Sequence, residues 1–153
     1  MEEALIKRLR AKEGLASILG RRKGSETGRP LIDLSARPVD DKTLPAVVIY
    51  KVSPGVDYDQ ETRDSLEGPR VQFSIIGKTY AECKLISRQL EKILEQPETI
   101  QLFEADTLVA TVEFVRGFLD AERDLNAKDL PGGETEFLLG VDFILWFRRS
   151  EPA

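Results

Sequence analysis

The stretch PRVQFSIIGKTYAECKLISRQLEKILEQ, residues 69–96, decides the fold because it runs from a strand directly into a helix. In its first half, apolar and polar residues alternate with the period of two that is typical of a half-buried strand. The apolar positions there are Val71, Phe73 and Ile75. In its second half, apolar residues return every three or four positions and form one helical stripe, which consists of Cys83, Ile86, Leu90, Ile93 and Leu94. The pattern predicts a strand over 70–77 and a helix over 79–96.

The junction between this strand and this helix carries a helix start signal. Thr79 and Glu82 have the spacing of a capping box, in which the threonine hydroxyl accepts from the N–H of Glu82 and the glutamate carboxylate accepts from the N–H of Thr79. Pro97 favours the end of the helix because proline cannot continue the hydrogen-bond ladder. A β-to-α unit is therefore predicted at the centre of the chain.

The flanking sequence predicts further elements. Apolar residues at helical spacing predict a helix over 2–19, or two successive helices with a break near Gly14. β-Branched residues and period-two alternation predict three more strands, over 46–53, 107–118 and 134–149. Short extended pieces are expected around Leu31–Leu34 and Leu102–Phe103. Polar, periodicity-free segments predict long loops at about 20–44, 54–68 and 119–134.

The predicted order α-β-β-α-β-β indicates an α+β fold, a four-stranded, mainly antiparallel sheet with two main helices on one face. A length of 153 residues predicts one domain over 1–153. The second sheet face is also rich in apolar residues, namely Tyr50, Ile76, Val109, Val115, Ile144 and Trp146. An exposed apolar patch usually marks an interface. The pattern therefore predicts oligomerisation, with Tyr50, Ile76, Ile144 and Trp146 at the subunit interface.

Composition narrows the possible chemistry. The net charge of −5 argues against a general nucleic-acid-binding protein. The chain has no histidine, which excludes Ser–His and Cys–His pairs and histidine metal sites. The single cysteine, Cys83, lies on the helical stripe and is interpreted as a buried apolar residue. No run of about 20 apolar residues exists to span a membrane, and residues 1–14 interleave charges with Leu5, Ile6 and Leu9 and lack the continuous apolar core of a signal peptide. A soluble intracellular protein is therefore expected.

Clusters of acidic residues offer a weak hint of a metal site. Asp57 and Asp59 resemble the start of a calcium loop, but Thr62 and Gly68 stand where an EF-hand needs glycine and glutamate. A solvated loop is the preferred interpretation. Asp142 interrupts an apolar strand and is interpreted as a surface residue near a subunit contact. We therefore expect no catalytic residue, no metal and no cofactor.

Four segments together resemble the tail completion family of long-tailed phages, also called tail terminators. They are GLASILGRR (14–22), LPAVVIYKVS (44–53), VQFSIIGKTYAECKLISRQLEKIL (71–94) and GVDFILWFRR (140–149). The resemblance covers most of the chain, from about residue 4 to residue 149. Its most specific part is the strand and helix over 71–94, above all the K-T-Y-A-E junction.

The resemblance implies a non-enzymatic virion protein. Such a protein would form a homohexameric ring that caps the tail tube, ends tail elongation and joins tail to head. Its partners would be further copies of itself, the tail tube protein, a head–tail connector protein and DNA that passes through the lumen without specific binding, with no membrane involved. It would reside at the head–tail junction of the virion, and in the host cytoplasm during assembly. Contacts to the tail tube, connector or DNA are expected from loop residues Arg21, Arg22, Lys23, Arg29, Asp57, Tyr58 and Asp59.

Other functions remain open from sequence alone. The alternative is a small α+β module that binds a ligand or nucleic acid. The basic run Arg21–Lys23 could contact phosphates, although solvated charges at a helix end are the simpler interpretation. No aromatic residue is interleaved in that run to stack on bases, which argues against binding of single-stranded nucleic acid.

Overall fold

A computed structural model describes residues 1–20, 30–34, 44–51, 66–129 and 135–152. Strand accounts for 56% of these residues and helix for about 25%, so the fold is built on its sheet. The elements follow one another as α1 (Glu2–Arg10), α2 (Glu13–Ala16), β1 (Ile32–Leu34), β2 (Ala46–Lys51), β3 (Leu66–Glu67), β4 (Arg70–Gly77), α3 (Tyr80–Leu94), β5 (Glu98–Glu104), β6 (Thr107–Asp129) and β7 (Thr135–Ser150).

All seven strands of the described chain belong to one curled, mixed sheet. Its strand order is β1-β2-β4-β7-β6-β5, and β3 lies beside the end of β7. β1 runs parallel to β2, whereas the other neighbours are antiparallel. β7, which has 16 residues, is the central strand, because it pairs with β4 and β3 on one side and with β6 on the other.

The predicted four-stranded sheet with the order α-β-β-α-β-β is therefore wrong. The largest error concerns the predicted loop at 119–134, because β6 continues through this region to Asp129. Register shifts between Phe114 and Arg116, between Leu119 and Ala121, and between Leu125 and Lys128 interrupt the alternation. A β-bulge adds one unpaired residue, so the period of two is lost although the pairing with β7 resumes.

Shorter elements account for the remaining differences. β5 occupies Glu98–Glu104 where only a short piece around Leu102–Phe103 is predicted. β1 confirms the extended piece predicted near Leu31–Leu34, and β3 lies inside the predicted loop 54–68. The N-terminal segment forms two successive helices as predicted, but the break lies at Ala11 and Lys12 and not at Gly14. The assignment of residues 1–153 to one domain stays a prediction.

The central β-to-α unit is confirmed, with one change in its cap. β4 spans Arg70–Gly77, and Thr79 caps α3 by accepting from the N–H of Glu82 at 3.2 Å. The Glu82 carboxylate accepts from the N–H of Lys78 at 2.9 Å, and not from Thr79 as a regular capping box requires. Both groups still anchor the first turn of α3 to the end of β4.

The core lies between the helices and one face of the sheet. The buried stripe of α3 and the buried residues of α1 pack against inward-facing side chains of β2, β4, β5, β6 and β7. At its centre the rings of Phe73 and Phe143 meet edge to face, with centroids 5.5 Å apart, a favourable geometry for an aromatic pair. Gly117 lets the helix come close, because a Cβ there would lie 2.8 Å from the carbonyl oxygen of Leu94.

Helix α1 connects the two outer strands of the sheet. Lys7 Nζ donates to the carbonyl oxygen of Gln101 in β5 at 2.7 Å, and Arg10 Nη2 donates to that of Ile32 in β1 at 2.8 Å. Unpaired carbonyl groups at a sheet edge invite pairing with other chains. Basic side chains of α1 therefore occupy carbonyl groups on both outer strands.

Candidate functional site: the helix-free face of the sheet

The side of the sheet opposite the helices, called here the helix-free face, is the candidate functional surface. Tyr50, Ile76, Ile144 and Trp146 all point to it, because their neighbours in sequence Ile49, Ile75 and Leu145 are buried in the core on the other side. Tyr50 is 39% exposed and the other three are half-buried. The structure thus brings the four predicted interface residues to one face, and their role in subunit contacts stays a prediction.

These four side chains do not form a continuous patch. Ile76 lies in register with Leu138, near one end of the pairing between β4 and β7, whereas Ile144 lies opposite Arg70 at the other end. Between these rows, Gln72 lies opposite Asp142. A polar strip therefore divides the apolar part of the helix-free face into two areas.

Asp142 forms the centre of this polar strip. Its Oδ2 accepts from Arg70 Nη2 at 2.7 Å and from Arg123 Nη2 at 3.0 Å, and the Arg70 guanidinium also lies 3.1 Å from Asp120. The hydrogen bond to Asp142 raises the pKa of Arg70 above its ordinary value. The four charges connect β4, β7 and β6 across the helix-free face.

The interpretation of Asp142 as a surface residue is wrong, since only 1% of the residue is exposed. Arg70 and Arg123 compensate its charge, as burial of a carboxylate requires. A sequence signal for this cluster existed: an aspartate inside an apolar strand is rarely buried unless a cation pairs with it. Which arginines supply that pairing depends on the register of β4 and β6. Neither Arg70 nor Arg123 was predicted from the sequence as a partner of Asp142.

Trp146 is partly covered by its own chain. A Cβ on Gly68 would lie 2.8 Å from Cζ3 of the indole, so the glycine backbone rests directly on the ring. Gly68 follows β3, which pairs with β7 next to Trp146. Trp146, which is predicted to lie at the subunit interface, is thus partly buried by residues of its own chain.

β6 has an open edge beyond the point where β5 begins. β5 pairs with β6 as far as Glu98 opposite Phe114, and in the described chain residues 115–129 pair only with β7. Three large apolar side chains at this edge are exposed, Val115 by 36%, Phe118 by 44% and Leu119 by 40%. An open edge with exposed apolar residues is a usual site of strand pairing with a second chain.

A cleft of about 400 Å³ lies on the other side of the molecule, between the α1–α2 junction and the end of α3. At its base the buried Arg8 donates through Nε to Glu98 at 2.8 Å and through Nη2 to the carbonyl oxygens of Ile93 and Gln96. Lys12 Nζ reaches the same carboxylate at 2.9 Å. Burial lowers the pKa of Arg8, and its pairing with Glu98 opposes that effect.

Cys83 is buried in the core, as predicted. Its thiol lies 3.6 Å from the carbonyl oxygen of Phe137. Burial, together with the neighbouring charge of Glu82, raises the pKa of the thiol to about 11. Because the thiolate is the reactive form of cysteine, the raised pKa and the burial together predict low reactivity of this thiol in the folded protein.

The predicted contact residues of the loops lie outside the described residues. These are Arg21, Arg22, Lys23, Arg29, Asp57, Tyr58 and Asp59. Within the described ranges, no three side chains of His, Cys, Asp or Glu lie close enough together to hold a metal ion. None of the helices there has the length and apolar character needed to cross a membrane.

Comparison with known proteins gives little further guidance. No protein-family model and no curated protein matches the chain. One solved structure with a similar chain course is a protein from the virion of a native gene transfer agent particle. The match has a TM-score of 0.46 and 18% sequence identity, and it covers 99% of this chain and 95% of that one. Similarity at this level assigns neither a family nor a function.

Proposed function

We propose that this protein is a non-enzymatic structural protein of a phage virion, of the tail terminator kind. In this proposal, copies of the chain close into a homohexameric ring at the head–tail junction. The ring caps the tail tube, ends its elongation and presents the surface that the head connector joins. DNA passes through the lumen without specific binding.

Two kinds of observation support this proposal. The sequence resemblance is strongest over residues 71–94, where the strand, the cap at Thr79 and the helix are all present in the structure. The observation that carries it is the helix-free face, on which Tyr50 and Ile144 flank the Asp142 cluster with partly exposed apolar surface. A soluble protein that leaves apolar side chains in this position gains stability by burying them against another subunit, about 1.5–3 kcal/mol for each large side chain.

A ring needs a heterologous contact, in which one surface meets a different surface on the next copy. The helix-free face and the open edge of β6 supply two such surfaces on one molecule. Val115 and Leu119 lie at the edge of β6, whereas Tyr50 lies on the helix-free face at β2, which β4 and β7 separate from β6. We propose that these two surfaces meet in the assembled ring.

Light scattering coupled to size-exclusion chromatography tests this function, alone and with purified tail tubes. The wild-type chain is expected to form a closed oligomer in solution or on the end of a tube. The double variant Tyr50→Glu/Ile144→Glu places two charges on the helix-free face, and we expect at least about a hundredfold weaker association.

Leu85→Glu is the matched control, because Leu85 is 46% exposed and lies on the helical side of the molecule. This variant should assemble like the wild type. A wild-type chain that stays monomeric at every concentration and leaves tail tubes unbound would refute the proposal. Equal assembly of the double variant and the wild type would refute the assigned surface.

A further inference from the structure

At the turn between β5 and β6, an exposed apolar side chain is followed by two acidic residues. Phe103 is 48% exposed, and Glu104 and Asp106 follow it in exposed positions. Ala105 adopts a positive φ of 51°, a conformation uncommon outside glycine and typical of a tight turn. We call residues 103–106 the acidic tip.

The cleft between the α1–α2 junction and α3 has the opposite character. Its walls include the apolar side chains of Leu15, Ile93 and Pro97. Its charged residues are three cations, Arg8, Lys12 and Lys92, and two anions, Glu13 and Glu98. In a chain with a net charge of −5, this cleft carries an excess of positive charge.

The internal pairing leaves that positive charge incompletely compensated. Arg8 and Lys12 share one carboxylate, that of Glu98. Among the described residues, Lys92 forms no ion pair with an acidic side chain. Among the described residues that line the cleft, cations outnumber anions by one, so an incoming carboxylate would be attracted to it.

We propose that the acidic tip of one copy docks into the cleft of another copy. Phe103 would fill the apolar part of the cleft, whose volume of about 400 Å³ lies within the usual range for binding pockets, about 300–1,000 Å³. Glu104 and Asp106 would lie near Lys12 and Lys92. This inference rests on the proposed self-assembly and adds a contact separate from the helix-free face.

The chain itself supplies the reason to choose a second copy as the occupant. The tip combines one exposed aromatic anchor with two acidic residues, and the cleft combines an apolar wall with an excess of positive charge among its described residues. Aromatic residues in an apolar pocket dominate many interfaces, and complementary charges fix the partner and its orientation. Within its own chain, Phe103 has Lys7 Nζ 5.7 Å from its ring centroid and leaves about half of its surface exposed.

Sedimentation velocity over a range of concentrations tests this contact. We expect Phe103→Ser and Lys92→Glu each to weaken association at least about tenfold. Combining Lys92→Glu with Glu104→Lys should restore it, because the charges are exchanged. Leu85→Ser, which removes an equally exposed apolar side chain from α3 outside the cleft, should leave association unchanged.

Disulfide trapping gives an independent readout. A copy with Glu104→Cys mixed with a copy with Lys92→Cys should form a crosslinked pair, whereas Leu85→Cys in place of Lys92→Cys should not. The native Cys83 is buried and does not compete. Absence of the crosslink, together with wild-type association of Phe103→Ser, would overturn the inference.

The outcomes separate this contact from the proposed ring surface. If the helix-free face variant loses assembly and the tip variants keep it, the docking contact is wrong and the proposed function stands. If a small carboxylic acid such as hexanoate binds in the cleft and raises the melting temperature, while Phe103→Ser has no effect on association, the cleft is a ligand site. The docking contact is then again wrong.

Discussion

Arg70 Nη2 lies 2.7 Å from Oδ2 of Asp142, on the side of the sheet that faces away from the helices. The aspartate is buried, whereas the side chain of Arg70 is 40% exposed and that of Arg123 is 57% exposed. The two arginines therefore compensate the charge of a carboxylate whose burial would otherwise be strongly unfavourable.

Asp142→Asn should lower the free energy of unfolding by about 2 kcal/mol. The change removes the charge that two arginines share, and hydrogen bonds to charged groups contribute about 1.5–3 kcal/mol, reduced here by solvent around the arginines. Urea denaturation measures the effect. Asp124→Asn, on an exposed residue of β6, is the control and should change stability by less than about 0.5 kcal/mol. Equal stability of the two variants would contradict the role of Asp142.

Gly68→Ala should destabilise the protein by about 1–3 kcal/mol, because a methyl group would overlap the ring of Trp146 at 2.8 Å. The chain has one tryptophan, so its fluorescence reports the displaced ring directly. Gly14→Ala is the matched control, since its nearest atom is Oε1 of the flexible Gln89 at 3.2 Å. A normal fluorescence spectrum for Gly68→Ala would show that the ring and the glycine are not in contact.

Thr79→Ala should cost about 1 kcal/mol of stability, because the first turn of α3 loses the acceptor for the N–H of Glu82. Thr79→Ser keeps the hydroxyl and should stay within a few tenths of a kcal/mol of the wild type. Both are measured by thermal unfolding followed by circular dichroism. If serine and alanine behave alike, the hydroxyl does not cap the helix.

Glu98 should make stability dependent on pH. Burial raises the pKa of this carboxyl, but the hydrogen bonds and charges of Lys12 and Arg8 outweigh it, and the pKa lies below the ordinary 4.5. Its contribution is therefore fully present above about pH 4.5 and is lost as the pH falls through the lower folded-state value. The stability difference between wild type and Glu98→Gln should shrink between about pH 6 and pH 3. A difference that is constant over this range would contradict the pairing.

Cys83 should resist thiol reagents in the native protein. With a pKa of about 11, almost none of the thiol is ionised at about pH 8, and its burial blocks access. We expect Ellman's reagent to react within minutes in urea and not measurably without it. Rapid reaction under native conditions would mean that the packing between α3 and β7 opens.

The parts of the fold that sequence predicted correctly are those with uninterrupted periodicity. β4 and α3 follow from the alternation of Val71, Phe73 and Ile75 and from the cap at Thr79, since each signal is local. The second half of β6 could not be predicted in this way. Its bulge between Leu119 and Ala121 changes the face on which each side chain lies, and a charged segment with a broken alternation has the composition of a loop.

The surface was predicted less well than the core. Sequence placed Tyr50, Ile76, Ile144 and Trp146 on one face, and the structure agrees. It did not predict the cluster around Asp142 that divides this face, because that cluster depends on the register of three strands. Nor did it predict that Gly68 would cover Trp146, which requires the pairing of β3 with β7.

The bonds that α1 makes to the outer strands have a consequence for the order of folding. Lys7 and its acceptor Gln101 are separated by 94 positions in the chain, and closing so large a segment is slow compared with forming a local helix. On the ribosome, the earliest helix must wait for β5 to emerge before it can be held in place. The sheet must wait longer still, because β4 pairs with β7 and β5 pairs with β6, and both partners follow later in the chain. The unpaired edges of β4 and β5 therefore stay open to aggregation until β6 and β7 have been synthesised.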